Sequence, residues 1–290
     1  MNVSAPDRIP LIRARNLRHE YPPIDRRGAP VAVLRGVDVD LRAGEMLAIV
    51  GPSGSGKSTL LHCLAGLEPL SEQSEGAELR VCGVPLLVPS SGGARAAGRG
   101  RVARLRRDRL GFVFQSLNLI PSLSVRENVA LPARLARRGR PDVERALAEV
   151  GLEGNGGKRP GQLSGGQQQR VAIARVLAAA PAVVFADEPT GSLDTITGAR
   201  VLDLLRAYPD AGRGRAVVLV THDLDAASRA DRVLVLRDGA VLVELERPEP
   251  ARILAALEGA THEGAEGAEH ERRPAAPGAR DAAMAEGGAR

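Results

Sequence analysis

The sequence predicts an α/β protein: a mostly parallel core sheet with an antiparallel β subdomain and an α-helical subdomain insertion. Three observations carry this. Five short apolar runs, "MLAIV" (46–50), "LGFVF" (110–114), "AVVFAD" (182–187), "AVVLVT" (216–221) and "RVLVL" (232–236), alternate with helical patterns. Near-continuous apolar strands separated by helices suit a parallel sheet covered on both faces. The first 45 residues instead alternate apolar and polar positions in "LIRARNL" and "VAVLRGVDVDLRAGE", the period of half-buried antiparallel strands. Between Gln115 and Gln162 strand signals vanish, and "SVRENVALPARLARR" and "DVERALAEVGL" read as helices.

The chain has 290 residues and is 43% hydrophobic, enough for one large domain with a buried core. Residues 1–10 are expected to be an N-terminal extension, 11–248 the domain, with the helical insertion at about 116–165, and 249–290 a largely disordered tail. The tail assignment rests on the Ala/Gly/Glu/Arg bias past about Glu258. "MNVSAPDRIPLIRARNL" has no basic head followed by an apolar core, so no secretory signal is visible. The longest uninterrupted apolar runs, such as Val176 to Ala180, are far short of the roughly 20 residues that span a bilayer. The expectation is an intracellular protein that does not itself cross a membrane. Cys63 and Cys82 each stand alone in apolar surroundings and fit buried structural thiols.

After the strand "MLAIV" comes "GPSGSGKST", followed by the apolar helix "LLHCLAGL". Gly51, Pro52, Ser53, Gly54, Ser55, Gly56, Lys57, Ser58 and Thr59 thus form G-x-x-x-x-G-K-S between a strand and a helix, the context such a loop requires. The glycines let backbone N–H groups turn inward around a phosphate, and the helix N-terminus adds unpaired donors. Lys57 supplies positive charge to the β- and γ-phosphates, and Ser58 offers a hydroxyl to Mg²⁺. Seven arginines lie between Arg95 and Arg109, and four more from Arg134 to Arg140. "SSGGARAAGRGR" reads as a solvated insertion, and no aromatic residue interleaves with it to stack a base, which argues against nucleic acid.

Further on, "QLSGGQQQR" opens a helix that continues as "VAIARVLAAA". Ser164 reads as its N-cap, and Gly165 and Gly166 expose bare backbone amides, a second anion site at a helix N-terminus. Gln167 is within reach of a nucleotide; for Gln168 and Gln169 a helix face turned to solvent or to another subunit is an equal alternative. The run "AVVFAD" ends in Asp187, a carboxylate at a strand's C-terminal edge, where open α/β sheets bind ligands. Asp187 is therefore expected to hold Mg²⁺, and Glu188, pointing differently, to activate the attacking water.

The phosphate loop, "VFQ" (113–115), "LSGGQQQR" (163–170), "ADEPTGSLD" (186–194) and "THD" (221–223) resemble, in order and spacing, the motifs of ATP-binding-cassette ATPases. The resemblance covers roughly residues 11–247 and is closest to the subgroup that powers lipoprotein-release and macrolide-export permeases. It implies a P-loop NTPase fold of ABC ATPase type that hydrolyses ATP with Mg²⁺. By the same resemblance, Tyr21 stacks on adenine, and Gln115 senses Mg²⁺ and the γ-phosphate and links the core to the insertion. His222 contacts the γ-phosphate, and Asp194 lies where two subunits meet. A head-to-tail dimer, expected to be a homodimer, sets Ser164 to Gly166 of one chain against the γ-phosphate held by the other. The implied partner is a separately encoded membrane permease, seated in a groove near Gln115 to Val129. The implied location is cytoplasmic, peripheral on the inner face of the plasma membrane. The alternative is a cell-division-type or regulatory ATPase that acts on a membrane partner without transport.

Overall fold

The computed structural model describes residues 10–23, 28–70, 75–211 and 214–259. At its centre β3 (Met46–Val50), β9 (Ala216–Val220), β8 (Val183–Asp187) and β7 (Leu110–Val113) are parallel neighbours in that order. On the other side of β3 lies β10 (Arg232–Arg237), also parallel, and β11 (Ala240–Glu246) closes that edge antiparallel. The five apolar runs of the sequence are these five parallel strands; β11, joined to β10 through the turn at Asp238 and Gly239, lies outside that pattern.

Each parallel strand is buried on both faces, and its alternate residues feed two separate cores. Met46, Ala48 and Val50 of β3 face one cluster, with Val184 and Ala186 of β8 and Val217 and Leu219 of β9. That cluster holds the helical side: α3 (Val125–Leu135), α4 (Val143–Glu149), α5 (Gly165–Ala179), α6 (Thr195–Ala207) and α7 (Leu224–Ser228). Leu47, Ile49, Phe185 and Val218 point the opposite way, onto α1 (Lys57–Leu64) and a second sheet.

The second sheet is antiparallel, in the order β2-β1-β4-β5-β6, from β1 (Ile12–Tyr21), β2 (Val31–Leu41), β4 (Glu78–Val81), β5 (Val84–Ser90) and β6 (Gly93–Ala96). The antiparallel subdomain is thus larger than the first 45 residues suggest. The arginine-rich stretch expected to be a solvated insertion has regular structure. It folds as the β5–β6 hairpin and α2 (Arg99–Arg109), a helix that buries only Leu105 and leaves most of its arginines exposed. The helix is tied to the core by Leu105, by the partly buried Val102 and by Arg106, which donates to Gly66 O. Cys63 is buried and its thiol is pushed up to about 12 by loss of solvent, as a structural cysteine should be.

The tail boundary expected at 249 needs correction. Residues 250–259 are helical (α8), and Ile253 is 0% exposed in the core cluster that includes Leu245 and Ala230. "ARILAALEG" spaces its apolar residues at i, i+3 and i+4, a pattern masked by the compositional bias of the last thirty or so residues. Residues 1–9 of the extension and 260–290 of the tail lie outside the described residues. Among the described residues no helix is long and apolar enough to cross a membrane. If α8 belongs to the core, Ile253→Ala should destabilise the protein by about 2–5 kcal/mol in urea unfolding, the usual range for emptying a buried isoleucine site; a change within about 0.5 kcal/mol would return α8 to the tail.

Candidate functional site

Parallel pairing sends the C-termini of β3, β9, β8 and β7 to the same edge of the sheet. The loop Gly51 to Thr59 leaves β3, His222 comes after β9, Asp187 and Glu188 end β8, and Gln115 comes after β7. Four segments far apart in sequence therefore lie along one edge of the sheet because of strand order.

The loop is pressed against backbone on two sides. A Cβ on Gly51 would stand 2.1 Å from the carbonyl oxygen of Leu236 in β10, and one on Gly56 would meet the carbonyl of Val33 in β2 at 3.0 Å. Gly239 of the β10–β11 turn donates its N–H to Ser55 O at 3.1 Å and accepts one from Arg35 at 2.8 Å. Gly54 (φ 81°) and Gly56 (φ 98°) adopt conformations that side chains disfavour, and Gly56 caps α1. Lys57 Nζ donates to the carbonyls of Gly51 (2.9 Å) and Pro52 (2.8 Å), and burial lowers its pKa against the pull of Glu188 and Asp187. Ser55 is buried and its hydroxyl has no partner among the described residues. A concave loop of backbone donors with a lysine, an unpartnered hydroxyl and a helix N-terminus fits phosphate.

Asp187 is half-buried; desolvation raises its pKa, while a hydrogen bond from Ser58 opposes the rise. Ser58 and Asp187 therefore offer two adjacent hard oxygen donors. They fit Mg²⁺, which takes few protein ligands and completes its shell with water and phosphate oxygens. Glu188 turns away from Asp187, as the sequence suggests, because its backbone is left-handed at φ 48°. That conformation is unfavourable for a residue with a Cβ, and such strain gathers at functional sites. It folds the side chain back so that Oε1 accepts the backbone N–H of His222 (3.0 Å) and shares a hydrogen bond with its Nδ1 (2.8 Å). Thr221 donates to Oε2 at 3.3 Å. The Glu188 side chain is 15% exposed and the His222 ring 80% exposed, so the imidazole forms the outer wall of a recessed carboxylate.

Tyr21 ends β1 with its hydroxyl 3.4 Å from Thr59 Oγ1 and its ring edge-on to His19, 4.7 Å between centroids, which places an aromatic beside the loop. Gln115 lies just beyond β7. The segment after it is tied down by two residues that the sequence does not flag. Buried Asn128 bonds Ile120 N, Ile120 O, Leu123 O and Ser124 O, and Arg175 of α5 donates to Leu117 O and Asn118 O.

Ser164 is the N-cap of α5, as read from the sequence: its hydroxyl accepts from Gln167 N (3.3 Å), and Gln167 Oε1 accepts from Ser164 N (3.0 Å). Gln167 is thus part of a capping box. Gly165 and Gly166 lead the helix, and none of the hydrogen bonds of Ser164 or Gln167 among the described residues reaches the phosphate loop. Gln169 takes neither a solvated nor a subunit-facing position among the described residues. It is 1% exposed, donating to Pro189 O at 2.7 Å and accepting from Ser192 Oγ at 3.4 Å. A buried amide survives because both its ends are paired, and here it locks α5 to the loop after Glu188. Asp194 caps α6 through Thr197 N at 2.9 Å, which lowers its pKa.

Between α2, β7 and α3 runs an apolar groove of ≈ 370 Å³ with Phe112, Phe114, Leu131, Pro132 and Leu135 in its walls and Arg106 and Arg107 at its rim. The segment 115–129, expected to present it, contributes only Asn118.

A profile of the ABC transporter family matches residues 34–191. The macrolide export ATP-binding/permease protein MacB of Nitrosomonas europaea is 45% identical over 248 residues, 81% of this chain and 34% of that protein. The pyoverdine export ATP-binding/permease protein PvdT of Pseudomonas fluorescens is 42% identical over 264 residues, 87% of this chain and 36% of that protein. The chain therefore spans about a third of the length of these relatives. Among solved structures, a dimeric post-hydrolysis state of the ATP-binding cassette MJ0796 bound to ADP and Pi superposes with a TM-score of 0.71 at 35% identity, covering 82% of this chain and 99% of that one.

Gly51→Ala should lower nucleotide affinity more than tenfold in a fluorescent-nucleotide titration, because the loop has to leave β10 to admit a methyl group. Gly44→Ala, with φ 84° but open space around its Cβ position, should leave affinity unchanged and cost only about 1 kcal/mol of stability.

Proposed function

This chain belongs to the ABC transporter family and is an ATP hydrolase of that family; from that premise we propose that it binds MgATP in a head-to-tail dimer and uses its hydrolysis to drive an export-type membrane permease. The observation that carries the hydrolytic part is the recessed Glu188 carboxylate, held by His222 and Thr221 at the sheet edge that also carries the phosphate loop.

The proposed roles are as follows. Backbone amides of Gly51 to Thr59 and the amino group of Lys57 hold the β- and γ-phosphates, and Tyr21 supports the base. Ser58 and Asp187, with Gln115 on the same sheet edge, would hold Mg²⁺, which would neutralise charge on the phosphate oxygens when bound. Glu188 accepts a proton from water as its oxygen bonds the γ-phosphorus and the bond to the bridging oxygen breaks, giving ADP and phosphate. His222 orients Glu188 through ring and backbone and closes the outer side against bulk solvent.

Support for the dimer is that one chain holds a phosphate loop at one place and a second set of bare helix-terminal amides, Ser164 to Gly166, at another. Two-fold pairing lets each chain complete the other's site. Loss of the γ-phosphate then removes an anion that both chains grip. Support for the permease is the groove beside β7, of the size and apolar character to seat a short helix, together with the names of the relatives. Such a partner would hold the chain at the inner face of a membrane.

Two outcomes test this reading. Glu188→Gln keeps the shape and an acceptor for His222 N, so ATP should still bind while turnover falls by about 10²–10⁴; unchanged turnover would remove Glu188 as the base. Gly165 has nothing within 4 Å of its Cβ position, and an aspartate at a helix N-terminus is favourable. Gly165→Asp should therefore fold and bind ATP as a monomer yet fail to dimerise on ATP in sedimentation, through repulsion of the facing γ-phosphate. Dimerisation at the wild-type level would sink the head-to-tail arrangement.

A further inference from the structure

Beside the groove lies a run of arginines, most of which the candidate site does not use. α2 carries six arginines against one acidic residue, Asp108. At 100° per residue, Val102, Leu105 and Arg106 share one side; Leu105 is buried, and Arg106 donates to Gly66 O at 3.1 Å. Arg99, Arg101, Arg104 and Arg107 fall on the opposite arc, about 200° wide, and all four are exposed. Arg107 pairs with Asp108 at 2.7 Å, whereas Arg99, Arg101 and Arg104 form no ion pair among the described residues.

A second element extends this face. Arg138, beyond α3, donates to Asp108 O and to Ala179 O, so the α3–α4 connection packs against the end of α2. The Asp108 carboxyl is held below its usual range by Arg107, with Arg138 and Arg104 adding to the field, which shows the two elements sharing one potential. Arg134, Arg137 and Arg140 lie on or beside that connection, and Arg134 and Arg140 are exposed as well. Leu135, 59% exposed, sits among them at the groove's edge.

We propose that this strip, Arg99, Arg101 and Arg104 of α2 with Arg134, Arg137 and Arg140 at and after the end of α3, docks on an anionic phospholipid surface. The charges spread over two elements: Arg99, Arg101 and Arg104 lie along an exposed helix face, and Arg134 and Arg140 line a separate cavity shared with Asp142 and Glu144; so wide a spread suits a plane of phosphates better than a single anion. Guanidinium groups pair with phosphate oxygens in a two-pronged geometry. An exposed leucine among clustered arginines matches the headgroup boundary, where apolar insertion and charge act together. No aromatic residue stands in the strip to stack a base. The orientation toward the bilayer rests on the permease reading of the adjacent groove; the attraction of the arginines to anionic lipid does not.

The test is co-sedimentation of the full chain with phosphatidylcholine vesicles, with and without phosphatidylglycerol. Binding is expected only with the anionic lipid and should vanish at high salt. Replacing Arg99, Arg101 and Arg104 with alanine should weaken partitioning roughly 10²-fold, at about fivefold per arginine, whereas replacing them with lysine should preserve it. Basal ATP turnover should be unchanged in both variants. Equal binding to neutral vesicles, full binding by the alanine variant, or tighter uptake by duplex DNA at the same salt would overturn the proposal. The vesicles contain no permease, so failure here leaves the permease reading standing. Vesicle binding without recovery of a permease on co-purification would sink only that reading.

Discussion

The parallel hydrogen-bonded order β3-β9-β8-β7 is the constraint on which everything else depends. Parallel strands present all their C-terminal ends on one side, so phosphate loop, Asp187, Glu188, His222 and Gln115 share an edge although the segments that carry them are far apart in sequence. The sheet is held by apolar residues on both faces, and this frees the polar edge residues from any duty in stability. Close backbone approach does the rest. Gly51, Gly56 and Gly239 let the phosphate loop lie directly against β10 and β2, where any side chain would hold it off. The loop's shape is therefore set by the fold before any nucleotide arrives, which is the preorganisation that phosphate recognition needs.

A second dependence runs along α5. Its N-terminus carries Ser164 to Gly166; one turn later Gln169 grips Pro189 O and Ser192 in the loop after Glu188; further on Arg175 holds the carbonyls after Gln115; at its end Ala179 receives Arg138, from the connection that borders the basic strip. One rigid helix thus touches the proposed dimer contact, the loop after Glu188, the Gln115 segment and the neighbourhood of the groove. A 15-residue helix with a buried face moves as a unit, so displacement at one of these places is felt at the others. This is a mechanical route by which the state of the nucleotide can reach a membrane partner, and it needs no flexible intermediary.

Much of this is legible in the sequence, for identifiable reasons. The five parallel strands can be read because burial on both faces makes them apolar without interruption. The phosphate loop can be read because that glycine spacing, with lysine and serine between a strand and a helix, is rarely assembled for anything but phosphate. The N-cap at Ser164 comes from a local rule. The misses are of a different kind. β4 to β6 and β11 are short or half-exposed; they pair as local hairpins, and only the contact of β4 with β1, distant in sequence, joins β4 to β6 to the first two strands. α8 is hidden by the composition of the residues behind it. Gln169 and Asn128 have side chains that look solvent-seeking, and only the positions of Pro189 and of the 120–124 backbone make burying them favourable. Nor can the left-handed backbone at Glu188 be foreseen, since it is imposed by the turn that lets the carboxylate meet His222.

The central claim is that a single chain owns two halves of different sites and is complete only in pairs. The most direct measurement is the steady-state ATP turnover per chain of the unmodified protein as a function of its concentration, with sedimentation run alongside at saturating MgATP. The account predicts that turnover per chain rises with concentration and levels off as the dimer population does. A turnover per chain that stays constant down to concentrations where only monomer sediments would contradict it.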